Sequence, residues 1–384
     1  MRIAHVITRL ILGGAQQNTL LTAAGQAEDF GDDVVVITGP GIGEEGSLVD
    51  WADNRGLELK LIPEMGRAIH PWKDFISYRK IAAAIDEFAP DIVHTHSSKA
   101  GILGRAAASR QRIPVVHTIH GAAFHVGQSM LARAIFRSAE RWAAHRCQAL
   151  ISVCDAMTDQ YVHAGIAAPE KFTTIYSGMD VEPFLDPPRD REEVRSELGF
   201  TGDDVVIGKI ARLFDLKGHR FLLEAAGRIA AACPQAKFLL VGDGPLRSQF
   251  ENHIARDGLS DRFVLTGLVP PERFPELIHA TDLVVHASLW EGLARVLPQS
   301  MLSGKPVVSF AIDGAPEVVI PDETGLLVPS GSVDGLVDSV TQLVGDKPLR
   351  ERMGAEGLRR SIGTFRYQDM ARRVREVYQR VLNH

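Results

Sequence analysis

Arg212 and Lys217 stand at the two ends of the segment Arg212-Leu213-Phe214-Asp215-Leu216-Lys217, just after an apolar run and just before a helical pattern. A guanidinium offers a fork of donors and an ammonium a compact charge. The first N–H groups of a helix lack intrahelical partners and attract anions. This arrangement suits a diphosphate, although two solvated surface cations would give the same letters. A second stretch, Trp290-Glu291-Gly292-Leu293-Ala294-Arg295-Val296-Leu297-Pro298-Gln299, follows another apolar run. Gly292 and Ala294 permit close backbone approach, and Pro298 is tolerable in the first turn of a helix. Glu291 and Gln299 would then bracket a polar ligand resting on the helix start. The plain alternative is an ordinary helix start with one exposed acid.

In the first half, Gly13 and Gly14 precede a helical pattern and either admit an anion to backbone N–H groups or simply form a tight turn. His117-Thr118-Ile119-His120-Gly121 ends a further apolar run. A histidine there serves as base, donor or hydrogen-bonded structural group. With fourteen histidines in the chain, chance clustering competes with function. Gly41-Ile42-Gly43-Glu44-Glu45-Gly46 matches a dinucleotide fingerprint by letter only. It follows the second strand rather than the first, and two acids stand where a pyrophosphate would approach, so it reads as a flexible loop. From Lys99 to Arg146 there are eight Lys/Arg and one acid, Glu140. Arg133, Arg137 and Arg141 recur every four residues with Phe136 and Trp142 nearby, as on a membrane-facing or anion-facing helix. A solvated helix face accounts for them equally.

The elements that must carry these residues alternate. Ile3–Thr8, Val34–Thr38, Ile92–His94, Val115–Thr118 and Ala149–Val153 read as strands, with helical patterns such as Phe75–Phe88 and Met130–Arg146 between them. After Asp180–Asp190, which holds three prolines, and a charged run to Glu197, the alternation restarts. Val205–Ala211, Lys237–Val241, Phe263–Thr266, Leu283–Ala287, Pro306–Phe310 and Gly325–Val328 are the second set of strands. Alternation of this kind predicts parallel sheets covered by helices on both faces. The proline-rich stretch and charged run read as a linker. Tyr367–His384 places Met370, Val374, Val377, Tyr378 and Val381 on one helical face. In such sheets ligands bind beyond the carboxyl ends of the strands, which is where the polar residues above stand.

Composition narrows the field. Hydrophobic residues make up 45% and charged residues 23% of 384 residues, which excludes a disordered chain or a coiled coil. No apolar run approaches the ~18 residues that would span a bilayer. The start, MRIAHVITRL, carries Arg2, His5 and Arg9 and reads as a strand rather than a signal peptide. Three cysteines without metal-ligand spacing suit a reducing, cytoplasmic compartment. A net charge of −6 argues against a nucleic-acid partner.

Taken in order, LGGAQQ, HTHSSKAGILGR, VVHTIHG, ISVCDAM, IYSGMD, ARLFDLKG, LLVGDGP, VLTGLV, TDLVVHASLWEG and SGKPVV through GLLVP resemble one family along nearly the whole chain. That family is the retaining, nucleotide-sugar-dependent glycosyltransferases of family 4. The resemblance implies an α/β GT-B fold, two doubly wound Rossmann-like domains facing across a cleft. Residues 1–181 would bind the acceptor, with the final helix 367–384 crossing back to them, and residues 200–364 would bind the nucleotide-sugar. It implies that His120, Arg212, Lys217 and Glu291 carry the reaction. Gly13, Gly14, Gly242, Val269, Gly292, Leu293, Ala294, Val296 and Gln299 would contact the donor, Val269 at the base. The family commonly has a Glu where Gln299 stands and an acid near the position of Gln16. Gln299 keeps an acceptor oxygen for a ribose and adds donors.

The chain holds no Asp-x-Asp, so the expectation is a metal-independent hexosyltransferase without a cofactor. UDP is the first expected nucleotide and GDP the second. The acceptor expected is a lipid-linked saccharide or other glycan in surface-polysaccharide assembly, with peripheral contact to an anionic membrane through 99–146, at the inner face of the cytoplasmic membrane. An epimerase or phosphorylase on the same fold, a non-catalytic sugar-nucleotide-binding subunit and a Rossmann dehydrogenase are the rivals.

Overall fold

The computed structural model describes every residue except 42, 44, 45, 125, 126 and 384. The Gly41–Gly46 segment read above as a loop therefore lies partly outside the described residues, as do two positions of the basic stretch and the last residue of the expected helix 367–384. The chain forms two compact units, Met1–Met179 with Phe365–His384, and Asp180–Thr364.

Unit 1 carries β1 (Arg2–Ile7), β2 (Asp33–Thr38), β3 (Glu58–Leu61), β4 (Ile92–His96), β5 (Val115–Ile119), β6 (Ala149–Ser152) and β7 (Phe172–Thr174). They pair in parallel in the order β3-β2-β1-β4-β5-β6-β7. The order reverses between β1 and β4, so the switch point lies beside the turn that holds Gly13 and Gly14. The helix Tyr367–Leu382 belongs to this unit. Its Tyr367, Met370, Val374, Val377 and Tyr378 share one core with Leu20, Leu21 and Ala24 of the helix Gly14–Phe30. Gly25 lets the two helices approach closely, since a Cβ there would lie 2.7 Å from that of Ala371.

Unit 2 carries β8 (Val205–Ile210), β9 (Ala236–Val241), β10 (Phe263–Gly267), β11 (Leu283–His286), β12 (Val307–Phe310) and β13 (Gly325–Val328). All pair in parallel in the order β10-β9-β8-β11-β12-β13, with the switch point between β8 and β11. Apolar clusters cover the sheet, the larger built on Leu222, Phe238, Phe310 and Leu336, the smaller on Val206, Leu239 and Leu277. Both sheets are the doubly wound α/β arrangement that the alternation of apolar runs predicts.

Two edge strands escape a reading of apolar runs. β3 is Glu-Leu-Lys-Leu and β7 is three residues long. The proline-rich stretch and charged run are not a loose linker, since they fold within unit 2. Asp190 accepts from the N–H groups of Glu192 and Glu193 and so caps the helix Arg191–Glu197. Arg195 of that helix is buried because Asp282 and the carbonyls of Thr201, Asp204 and Ala280 use its guanidinium.

Candidate active site

The carboxyl ends of β8, β9 and β10 are tied together by backbone. Ala211 N–H donates to Val241 O, Leu213 N–H to Asp243 O, and Gly242 N–H to Gly267 O at 3.1 Å. Gly242 has φ +132°, and a Cβ there would lie 2.3 Å from Ala211 O, so only glycine lets these ends meet. The loop after β8 is likewise tied to the loop after β11. Leu289 N–H donates to Leu216 O at 2.8 Å. Gly218, at φ +63°, lies so close to β11 that a Cβ would fall 1.8 Å from Ala287 O. It also starts the helix His219–Ala232.

These ties bring Lys217 to Glu291. The Lys217 ammonium donates to Glu291 Oε1 across the switch point, and both side chains are partly exposed. Glu291 is fixed from two further directions. Its own N–H donates to Asp313 Oδ2 at 2.7 Å, and its carboxylate lies 3.9 Å from His286 Nε2 at the end of β11. Burial works to raise the Glu291 pKa, but the His286 ring and the Lys217 ammonium outweigh it and hold the carboxyl down at about 2. Burial conversely keeps His286 and His219 neutral. Beneath the pair lies Lys209 of β8, which is buried. Burial, with the Lys217 charge nearby, pushes its ammonium down to about 7.

Arg212 is exposed just past β8, with its guanidinium 4.5 Å from the Phe214 ring centre. After Glu291 the chain runs through buried Gly292, Leu293 and Ala294 into the helix Val296–Leu302. Pro298 falls in its first turn, and Gln299 follows one residue later. Val269 is half-buried beyond β10, on the smaller core cluster. Arg212, Lys217, Gly242, Glu291, Gly292 and Gln299 thus all stand at the carboxyl side of one sheet. Lys209, His286 and Asp313 are additions that motif reading overlooks. The only sequence signal for the first two is a lone polar residue inside an apolar strand, Val-Val-Ile-Gly-Lys-Ile or Leu-Val-Val-His.

In unit 1, Gly13 is extended (φ 178°) and precedes the helix Gly14–Phe30, whose first turn has no acidic residue and no side-chain cap. His120 directly follows β5, and its Nε2 lies 3.1 Å from His96 Nδ1. The cations of the basic stretch are largely committed to the protein. Arg105 is buried against Glu140 at 2.9 Å, and Lys99 holds Asp74 at 2.6 Å. Arg137 and Arg141 bind the carbonyls of Ala164 and Gly165. The helix Met130–Ala144 instead exposes Met130, Leu131, Ile135 and Trp142. No helix among the described residues is long and apolar enough to cross a membrane.

Residues 13–178 match the family described as "Glycosyl transferase 4-like domain", and residues 190–360 match "Glycosyl transferases group 1". One relative is the UDP-Gal:alpha-D-GlcNAc-diphosphoundecaprenol alpha-1,3-galactosyltransferase of Escherichia coli, 28% identical over 354 residues, or 91% of this chain and 89% of that one. The 2-deoxystreptamine glucosyltransferase of Streptomyces kanamyceticus is 27% identical over 282 residues, 69% of this chain and 73% of its own. Among solved structures, Anabaena Alr3699/HepE in complex with UDP-glucose superposes with a TM-score of 0.83 at 23% identity, over 99% of both chains. That likeness establishes the fold. The chain belongs to the GT-B glycosyltransferases that join a glycosyl transferase 4-like domain to a group 1 domain.

Proposed function

We propose that unit 2 binds a nucleotide-diphosphate sugar and that the enzyme moves its sugar to a hydroxyl of a lipid-linked saccharide or other glycan held by unit 1. The observation that carries this reading is Lys217 facing Glu291 across the β8/β11 switch point. Breaking a sugar–phosphate bond places negative charge on the leaving diphosphate. Lys217 and Arg212 neutralise it, which is the work a metal does in other transferases. Glu291 accepts hydrogen bonds from sugar hydroxyls, with the amides of Gly292, Leu293, Ala294 and Val296 on the sugar and phosphate. Gln299 takes the ribose and Val269 the base, while Gly242 keeps the backbone low enough for the nucleotide to lie over it. His120 touches the donor sugar, and Gly13 and Gly14 offer backbone N–H groups to the donor.

The configuration at the sugar is retained, with the departing phosphate assisting attack from the same face. No metal ion or cofactor enters the reaction. UDP is the preferred nucleotide, supported by the names of the E. coli relative and the Anabaena complex. The E. coli name also supports a diphosphoundecaprenol-linked acceptor. The exposed Met130, Leu131, Ile135 and Trp142 would give unit 1 a shallow hold on the membrane that carries such an acceptor, on its cytoplasmic side.

Thermal shifts with UDP, GDP, ADP and NAD, each with and without sugar, test the donor site. Ligand at ~100 times its dissociation constant adds ~2.7 kcal/mol. One nucleotide should raise the melting temperature of the wild type and not of Arg212→Ala, whose donor use should fall roughly 30-fold or more. Near-normal turnover in a folded Arg212→Ala protein would sink the assignment, and a shift by NAD alone would point to a dehydrogenase. Product analysis separates transfer from epimerisation and phosphorolysis.

A further inference from the structure

The far end of the unit 2 sheet carries a polar cavity of its own. It has a volume of about 500 Å³ and opens at the amino ends of β8, β11 and β12, beside Val205, Asp282 and Pro306. At about 3.3 Å per residue, the length of β8 sets it roughly 20 Å from the loop that carries Arg212. Its inner lining is mostly cationic. Arg195 and Arg350 are buried there, and Arg191 and Lys305 are half-buried. Two half-buried carboxylates stand against these four, and both are already occupied. Asp282 accepts from Arg191 at 2.8 Å, from Arg195 at 3.1 Å and from the Val206 N–H at 2.8 Å. Asp204 accepts from the N–H and hydroxyl of Thr201 at 2.7 and 2.9 Å. The other charged groups of the lining, Glu192, Asp203, Lys347 and Glu351, are exposed.

Donors are left over on the inner lining. The Lys305 ammonium makes no hydrogen bond or ion pair with any described residue. Arg195 spends its two terminal nitrogens on carbonyls and Asp282, but its Nε is buried without a partner, 4.0 Å from the nearest Glu192 oxygen. Arg350 donates from Nη1 to the carbonyls of Leu343 and Val344 and contacts no carboxylate among the described residues. A half-buried charge without a counter-charge is costly unless something supplies one. Burial, and then the Arg191 charge, push the Lys305 ammonium down to about 8 against the pull of Asp282, so it is still charged at pH 7. The backbone holds these groups in place. The Lys305 N–H donates to Ser300 O at 2.9 Å. Gly354 lets the helix Lys347–Ser361 press on the turn before Lys305, since a Cβ there would lie 2.0 Å from Gly304 O.

We propose that this cavity binds a small phosphate monoester that also bears hydroxyl groups, with its phosphate on Lys305 and Arg350 and its hydroxyls toward the exposed carboxylates Glu192 and Asp203. An ammonium and a guanidinium are the donors that suit a phosphate. The volume exceeds what a bare phosphate fills and lies in the range of small-molecule sites. Carboxylates accept from hydroxyls and repel a polyanion, which favours a sugar or polyol phosphate over a nucleoside triphosphate. The site shares no residue with Arg212, Lys217 or Glu291, so it stands whether or not those bind a donor. A ligand there would brace the starts of the strands that carry Lys209 and His286 nearer their far ends.

Titration calorimetry of the whole chain with glucose 6-phosphate, glycerol 3-phosphate, inorganic phosphate and glucose tests the site. At least one of the two esters should bind, one per chain, with inorganic phosphate about fivefold weaker and glucose silent. Lys305→Met should weaken the ester roughly tenfold or more, and Lys305→Arg should keep most of the affinity. Arg212→Ala should leave it unchanged, which separates this cavity from the loop after β8. Without ligand, Lys305→Met should melt no lower than the wild type, because it removes an ammonium that has no partner. Silence with both esters overturns the proposal, as does ester binding that survives Lys305→Met or vanishes in Arg212→Ala. Inorganic phosphate bound as tightly as either ester overturns the ligand class. A Lys305→Met protein that melts several degrees below the wild type would show that the ammonium serves the fold, and would overturn it too.

Discussion

At the carboxyl ends of β8 and β11, unit 2 sets formal charges of both signs against each other, Lys217 on Glu291, with a strained-down Lys209 beneath. Within β1 and β4, unit 1 sets the neutral imidazoles of His5, His94 and His96 against one another and satisfies each by a neighbour. Both are polar clusters on parallel sheets, one past the strand ends and the other within the strands. The charged one stays partly open to solvent, and its ion pair can be exchanged for a charged ligand. The neutral one is closed, and each ring nitrogen of His5, His94 and His96 already faces a protein partner.

The contrast is sharpest in acid. His5, His94, His96 and His117 of unit 1 are all held below their ordinary pKa by burial, His5 at about 4. The unfolded chain binds their protons first, so stability falls as pH drops from 6.5 toward 4, by ~1.4 kcal/mol per pH unit for each group. Unit 2 has three such rings, His219, His279 and His286, of which His279 is only half-buried. Peptide-resolved hydrogen exchange at pH 7 and pH 5 should therefore show unit 1 losing protection first, and earlier loss in unit 2 would refute the contrast.

Lys209→Met probes the charged side. With a native pKa near 7 against an ordinary 10.5, Lys209 binds less proton folded than unfolded between those values, so wild-type stability rises with pH across that window. The variant should lack this slope and be more stable at pH 7, by on the order of 4 kcal/mol, with the gain gone near pH 10.5. Urea melts across pH measure it, and an unchanged slope would mean that Lys209 stays charged.

Gly218→Ala attacks the tie that brings the charges together. Its Cβ would strike Ala287 O, at a backbone angle that suits glycine. A loss of about 3 kcal/mol should lower the melting temperature by roughly 6–12 °C. A melting temperature within a degree of wild type would show that the β8 and β11 loops are not locked together. The smallest effect in free energy is on turnover. Glu291→Gln keeps the shape and removes the charge that Lys217 faces, and kcat/KM should fall about 100-fold, ~2.7 kcal/mol. A steady-state assay with the donor identified by thermal shift reads it, and activity within threefold of wild type would take Glu291 out of the site.

Sequence made most of this architecture legible, for a physical reason. Strands buried on both faces must be short apolar runs, and Leu283–His286 or Val307–Phe310 can be little else. Edge strands escape that demand, which is why Glu58–Leu61 and Phe172–Thr174 pass unnoticed. Arg212, Lys217 and Glu291 stand at predictable strand ends, so their common location could be read. Lys209 and His286 could not, because their roles depend on what burial does to them. The imidazole cluster is harder still, because His5 meets His96 and Gln26, and Gln26 meets Tyr378, only through pairings among distant segments. The charged run before Glu197 misled for the opposite reason, since its arginines find partners only after Asp282 is folded beside them.

The return of the last helix to unit 1 also has a temporal side. Everything from Asp180 to Thr364 must leave the ribosome before Tyr367–Leu382 can cover the apolar face of Gly14–Phe30. At typical translation rates the first unit waits roughly 10–40 s with that face unsealed. During that interval the apolar face of Gly14–Phe30 lacks its own cover, and the second unit is fully synthesised before the first can close.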